Sequence, residues 1–322
     1  MCTPQGQSSR PDVSSGEQQP AFASEQPTWS PADYDPTPGT RGPRYLTRED
    51  RQLFRGVLLP IADALNDATM ESTREPEPGT DAWRVWRSEE KHLALDAMIT
   101  MRYSNMSAIA HVRAYVALIN EEATGASVLA TVARGAHEAL ARTSFLLARA
   151  DDRDLYFRSI SLLIAELYFP IKFSEAMRTR GGAAVDPATE REALEAELRR
   201  LGLPKPARID FAPMVAGMMD RAIEGSGGRD AYSTLSAVAH AHRYGLDPYV
   251  RTDQRGQVVD LMAPRAVVFQ QVFELMATLS TTALGYVTFF RKGAEATIPL
   301  RAAEIRAMEL LETLAAEMWP TE

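Results

Sequence analysis

Arg134, Glu138 and Arg142 recur every four residues along one predicted helix, and Tyr232, Ser236 and His240 do the same along another. Positions i, i+4 and i+8 of an α-helix fall within about 80° of one another, so each triplet lies on a single face. Small and apolar residues surround both stripes, and polar groups in such a setting must find partners. The first supplies guanidinium and carboxylate groups suited to ion pairing or anion binding, and the second a phenol, a hydroxyl and an imidazole. His240, Glu138 and Tyr232 are therefore the candidates for proton transfer, and Arg134, Arg142 and Ser236 for holding a ligand.

Each stripe also has a purely structural reading. Glu138 lies one turn from both arginines, which describes an intrahelical charge ladder, and exposed pairs of that kind contribute only about 0.3 to 0.5 kcal/mol each. The alanines at 130, 133, 136, 139 and 141 make a thin helix that neighbours can approach closely, so the ladder can also face a ligand or another subunit. His137 adjoins Glu138 but points elsewhere. The second stripe can be a hydrogen-bonding seam that fixes helix register, or a site in which His240 binds a ligand or moves a proton. A serine hydrolase is not indicated, because no Gly-x-Ser-x-Gly elbow is present and adjacent helical turns rarely align a hydroxyl with an imidazole.

Metal chemistry has thin support. Glu89 and His92 form one Glu-x-x-His, the spacing found in carboxylate-bridged di-metal bundles, but those sites use two such units and further glutamates. His240 and His242 at i and i+2 point to nearly opposite sides of a helix. Asp151, Asp152 and Asp154 resemble the aspartate-rich magnesium motif of helical terpene cyclases, yet no second Asn/Ser/Glu triad follows at the required spacing, and helix capping is the expectation. No cofactor is specified.

The combination of Arg-x-x-x-Glu, a proline-punctuated connection after a charged helix, and Tyr-x-x-Leu-Ser-x-x-x-His at Tyr232, Leu235, Ser236 and His240 resembles a group of all-helical actinobacterial proteins. It is also loosely similar to domain families near the HEPN-like group. The resemblance spans residues 125 to 290 and implies that Arg134 and Glu138 meet Tyr232 and His240 between packed helices. HEPN ribonucleases carry an arginine four to six residues before the catalytic histidine. That window before His240 holds residues such as Leu235 and Thr234, Arg229 lies too far upstream, and Arg102 and His111 are too widely separated. Nuclease activity is thus not carried over.

The elements that position these residues read as helices almost throughout. Leu53, Val57, Ile61 and Leu65 form one face behind a capping signal at Thr47 and Asp50, with Pro60 expected to kink the helix. Arg74 to Asp81 reads as a loop. A long stretch from Trp83 to Glu122 is expected to break near Ser104 and Asn105, and Gly125 separates it from a helix over 127 to 149. The Asp151 and Asp152 pair caps a further helix running toward Arg178, with a kink at Pro170 and an end at Gly181 and Gly182. Asp186 and Pro187 open a charged helix that ends at Gly202. Further helices follow near 212 to 224, through Tyr232, over 264 to 292 and over 298 to 319, with a polar loop from Tyr244 to Asp260 that can hold a hairpin at Arg255 and Gly256. The expected class is all-α: a multi-helix bundle with a disordered Pro-rich tail over residues 1–45, then one helical domain over 46–322 from which a charged helix and linker at 183–210 project. The tail holds eight of the chain's 20 prolines, too little apolar surface to offset its ordering entropy, and a Pro-rich run from Trp29 to Pro43 that reads as solvated linker or docking peptide.

Composition limits the partners. With 322 residues, 45% hydrophobic, the chain can bury a full core, while a formal net charge of -8 gives no overall pull toward nucleic acid or anionic lipid. The single cysteine, Cys2, excludes an internal disulfide and suits the reducing cytoplasm. Leu275 to Phe290 is uncharged but only 16 residues long, shorter than the roughly 20 that a membrane span needs, and is expected to be a buried core helix. Two functions remain: a cytoplasmic protein that binds a small molecule or protein partner, with the Ala-rich helices allowing a homodimer, or a helical-bundle enzyme with a polar or metal-assisted site between the Glu138 and His240 helices.

Overall fold

A computed structural model of the chain describes residues 45–72, 75–121, 125–173, 177–178, 182–252, 255 and 257–319. The expected tail, its Pro-rich run and the Gly256 turn position lie outside them. Among the described residues the fold is all-α, with two small two-stranded sheets at its margin.

Helix α1 (Arg48–Glu71) starts where its capping signal stands: the Asp50 amide donates to Thr47 Oγ1 and the Thr47 amide to Asp50 Oδ2, two orphan donors satisfied reciprocally. Pro60 lies inside it on an exposed position, and the helix continues past it. Short α2 (Asp81–Trp86) precedes α3 (Lys91–Ile119), and the break falls at residues 87–90 rather than at Ser104 and Asn105. The reason is local satisfaction. Asn105 accepts from Thr143 Oγ1 at 2.9 Å and donates to Thr69 Oγ1, so its polar atoms are met by neighbouring elements and α3 runs through unbroken.

Helix α4 (Ala126–Leu147) follows Gly125 and packs along α3 in the most extensive helix pairing of the molecule. Asp151 caps α5 (Asp152–Glu166) by accepting from the Asp154 amide at 2.8 Å. Asp152 pairs with Arg84 and Asp154 with Arg158, so this aspartate run is engaged in capping and ion pairing. The expected helix toward Arg178 instead ends at Glu166. It is followed by α6 (Tyr168–Phe173), which contains Pro170, and by β1 (Met177–Arg178), paired antiparallel with β2 (Ala184–Val185). A proline one turn into a new helix is tolerated, which explains why the kink becomes a boundary.

Asp186 caps α7 (Pro187–Arg200), whose Leu198 is buried and which lies against α5 and α6. Helices α8 (Phe211–Ala222) and α9 (Gly228–Ala239) meet closely: a Cβ on Gly228 would sit 2.5 Å from the Ala216 carbonyl oxygen. Then come α10 (Arg243–Leu246), the hairpin of β3 (Val250–Thr252) and β4 (Val258–Leu261), α11 (Arg265–Phe290) and α12 (Ile298–Met318). By length and composition α11 could cross a membrane, but 67% of its most apolar stretch is buried inside the bundle. Its Leu275, Leu279, Ala283 and Tyr286 are fully enclosed, and α1, α4, α8 and α12 pack around it.

Candidate functional site

Helix α9 lies across α4, and this crossing brings four of the six stripe residues together. The Tyr232 hydroxyl donates to Glu138 Oε1 at 2.6 Å, and Arg134 Nε donates to the same carboxylate oxygen at 2.8 Å and toward the Tyr232 oxygen at 3.3 Å. Arg134 Nη1 makes a short contact with His240 Nε2. Because a guanidinium can only donate, His240 Nε2 is placed as the acceptor in this contact. Local sequence explains the arrangement. Leu235 and Val238 carry α9's apolar side inward while Tyr232 reaches across to α4.

The site is half-open. The side chains of Arg134 and Glu138 are 24% and 31% exposed, Tyr232 is buried and His240 is exposed at the C-terminal end of α9. Burial and the bond to the Glu138 carboxylate push the Tyr232 phenol above its ordinary range. Burial opposes the Arg134 charge, but its bonds to Tyr232 and Glu138 outweigh that and raise its pKa. His242 stands beside His240, with ring centroids 6.1 Å apart, and Arg243 is exposed just beyond.

The remaining two stripe residues lie apart from this group. Arg142, two turns along α4, faces the first residue of α8: its guanidinium is 4.7 Å from the Phe211 ring centre and 3.9 Å from Glu166 Oε1 on α5. Burial raises the Glu166 carboxyl and Arg142 opposes that rise. Ser236 contributes its backbone carbonyl, which accepts from the His240 amide at the end of α9. His137 points away from Glu138 into the core, fully enclosed. Its Nδ1 lies 3.3 Å from Thr278 Oγ1, its Nε2 has no hydrogen-bond partner among the described residues, and burial depresses its pKa to about 4.

Among the described residues, the group around His92 whose ligand atoms lie within 4.8 Å of one another takes in Glu90 and Glu197 rather than Glu89, and joins the start of α3 to α7. Arg200 already occupies this group, bonding both Glu90 and Glu197, and His92 Nε2 is 2.9 Å from Glu197 Oε1. The Arg200 bonds, helped by His92, hold the Glu197 carboxyl down at about 2. With a guanidinium fork between the two carboxylates, the arrangement is a surface ion-pair network whose cation is supplied by the chain itself. Glu197 and Arg200 were not legible as members of this group because helical spacing relates residues within one helix, whereas here two helices meet.

A cleft of about 490 Å³ opens at the other end of the bundle, between the C-terminal ends of α1 and α11 and the segment entering α2. Glu71, Glu75, Glu77, Trp83, Arg87 and Arg291 surround it, and none of the stripe residues does. Its floor is closed by Tyr286, whose hydroxyl bonds Ser72 Oγ, and Glu71 is paired with Arg291. Loop residues form much of this rim, and they carry no periodic signal in the sequence.

The chain matches no family model, no curated protein and no solved structure.

Proposed function

We propose that this chain is a cytoplasmic helical binding protein, and that Arg134 presents its Nη2 to an anionic group on a small molecule or protein partner. The observation that supports this reading is the way Arg134 is held. Its Nε is engaged by Glu138 and Tyr232 and its Nη1 by His240, while Nη2 takes part in none of these contacts. A guanidinium held at Nε and Nη1 is fixed in orientation and keeps Nη2, a charged donor, to present to a carboxylate or phosphate oxygen. His240, His242 and Arg243, all exposed, add donors or positive charge on the same stretch of chain.

Binding is favoured over catalysis by the same contacts. A general base needs a free lone pair, and the His240 Nε2 lone pair is engaged by the Arg134 guanidinium. The enzyme reading would have Glu138 and His240 exchange protons with a substrate, yet Glu138 Oε1 already accepts from both Tyr232 and Arg134.

The test is thermal unfolding of the full chain with millimolar inorganic phosphate or acetate, for the parent protein and for Arg134→Lys and Arg134→Gln. The expectation is a midpoint raised by one of these anions in the parent protein, a smaller rise in Arg134→Lys, and none in Arg134→Gln. No rise in the parent protein, or an equal rise in Arg134→Gln, sinks the proposal.

A further inference from the structure

Helix α3 buries one side against α1 and α4 and leaves the other open. Between Ile99 and Ala117 eight positions are exposed, and Arg113 alone among them is charged. An outward helix face ordinarily carries the charged residues. Here it carries Ile99, Tyr103 and Met106, exposed by 39%, 61% and 49%.

The order of sizes along this face says what covers it. Positions 99, 103, 106, 110, 113 and 117 alternate by four and three, the spacing of a coiled-coil seam. Large side chains fill its N-terminal half, and Ala110, Ala114 and Ala117 make up most of the other half. We infer that α3 pairs antiparallel with α3 of a second copy about a two-fold axis near residue 108, each large half seated on the partner's alanines. In that register Ile99 lies opposite the partner's Ala117, Met106 opposite the partner's Ala110, and Tyr103 opposite the partner's Arg113. A parallel pair would set Tyr103 and Met106 against themselves and leave alanines facing alanines, with collision at one end and a void at the other.

The polar members fit the same register. Arg113 is held by Asp63 at 2.8 Å, and its guanidinium would lie over the partner's Tyr103 ring, a favourable cation and aromatic pairing. The contact is isologous, so it closes at two copies and leads to no filament. The seam is about 27 Å long by helical rise. This pairing is independent of the Arg134 site.

Sedimentation velocity of the full chain, from about 1 to 200 µM, tests the inference. A monomer–dimer equilibrium is expected, and Met106→Glu or Ala110→Glu should weaken it by about tenfold or more while leaving the helical circular dichroism unchanged. Register is read separately in a Cys2→Ser background with a short bismaleimide. The pair Met106→Cys and Ala110→Cys should cross-link two chains, and the pair Met106→Cys and Ala117→Cys should do so much less. A chain that stays monomeric throughout overturns the inference, as does a dimer indifferent to both glutamates or equal cross-linking of the two cysteine pairs.

Discussion

Arg134 can donate but never accept, and that asymmetry organises every group around it. Glu138 receives it at Oε1, Tyr232 donates to the same oxygen, and His240 offers a lone pair. Tyr232→Phe removes one hydroxyl and leaves the ring packing, so its cost reports the hydroxyl's bonds to Glu138 and Arg134. Hydrogen bonds to charged groups contribute about 1.5 to 3 kcal/mol, and a loss of about 2 kcal/mol in urea unfolding is expected. His240→Ala, at an exposed position, is expected to cost less than half as much. Equal losses would mean that the imidazole ties α9 to α4 as strongly as the phenol does. Four-residue spacing made this group partly legible, because it marks which side chains share a face. It could not mark where that face changes neighbours. Arg142 is only about 12 Å along α4 from Arg134, but by then α9 has been replaced by Phe211 of α8.

At the level of elements, the N-termini of α1 and α11 are tied by one buried pair. Asp50, 2% exposed, caps α1 and also accepts from Arg265 Nη2 at 2.7 Å, while Arg265 reaches Glu317 of α12 at 2.9 Å. The capping role of Asp50 is legible in the sequence, since Thr47 stands three residues before it. Its ion pair is not, because Arg265 lies 215 residues away and only the packed bundle brings them together. Asp50→Asn keeps a capping acceptor and removes the charge, whereas Asp50→Ala removes both. Breaking a buried pair from one side costs about 3 to 5 kcal/mol, so both variants should unfold at lower temperature, with Asp50→Ala the lower by about 1 kcal/mol from the lost cap. A midpoint for Asp50→Asn equal to that of the parent protein would show that Glu317 alone satisfies Arg265. Element boundaries followed the same division. Caps at Thr47, Asp151 and Asp186 were readable locally, while the continuity of α3 through Ser104 and Asn105 depended on Thr69 and Thr143 supplied by other helices.

For the whole molecule, the core itself contains a titrating group. His137 is enclosed between α4 and α11, and burial lowers its pKa from 6.5 to about 4. The unfolded chain therefore binds a proton that the folded chain refuses in the window between those values, so stability is full above the higher one and falls as the pH drops toward the lower. Between about pH 7 and pH 5 the loss amounts to roughly 2 kcal/mol. Glu274, one turn before Thr278 on α11, works in the opposite direction: burial raises its pKa despite a bond from Gln270, so it favours the folded state more at low pH. The two effects overlap in total stability but separate by substitution. His137→Gln should flatten the urea-unfolding free energy across the pH 5 to 7 interval by about 2 kcal/mol relative to the parent chain. Glu274→Gln removes a carboxylate that burial penalises when ionised, so it should raise stability near pH 7 and give little change below pH 4, where the carboxyl is already neutral. If His137→Gln keeps the parent's slope, the imidazole is already protonated in the fold, and its Nδ1 and Nε2 must then have acceptors other than the single Thr278 hydroxyl that the packing provides.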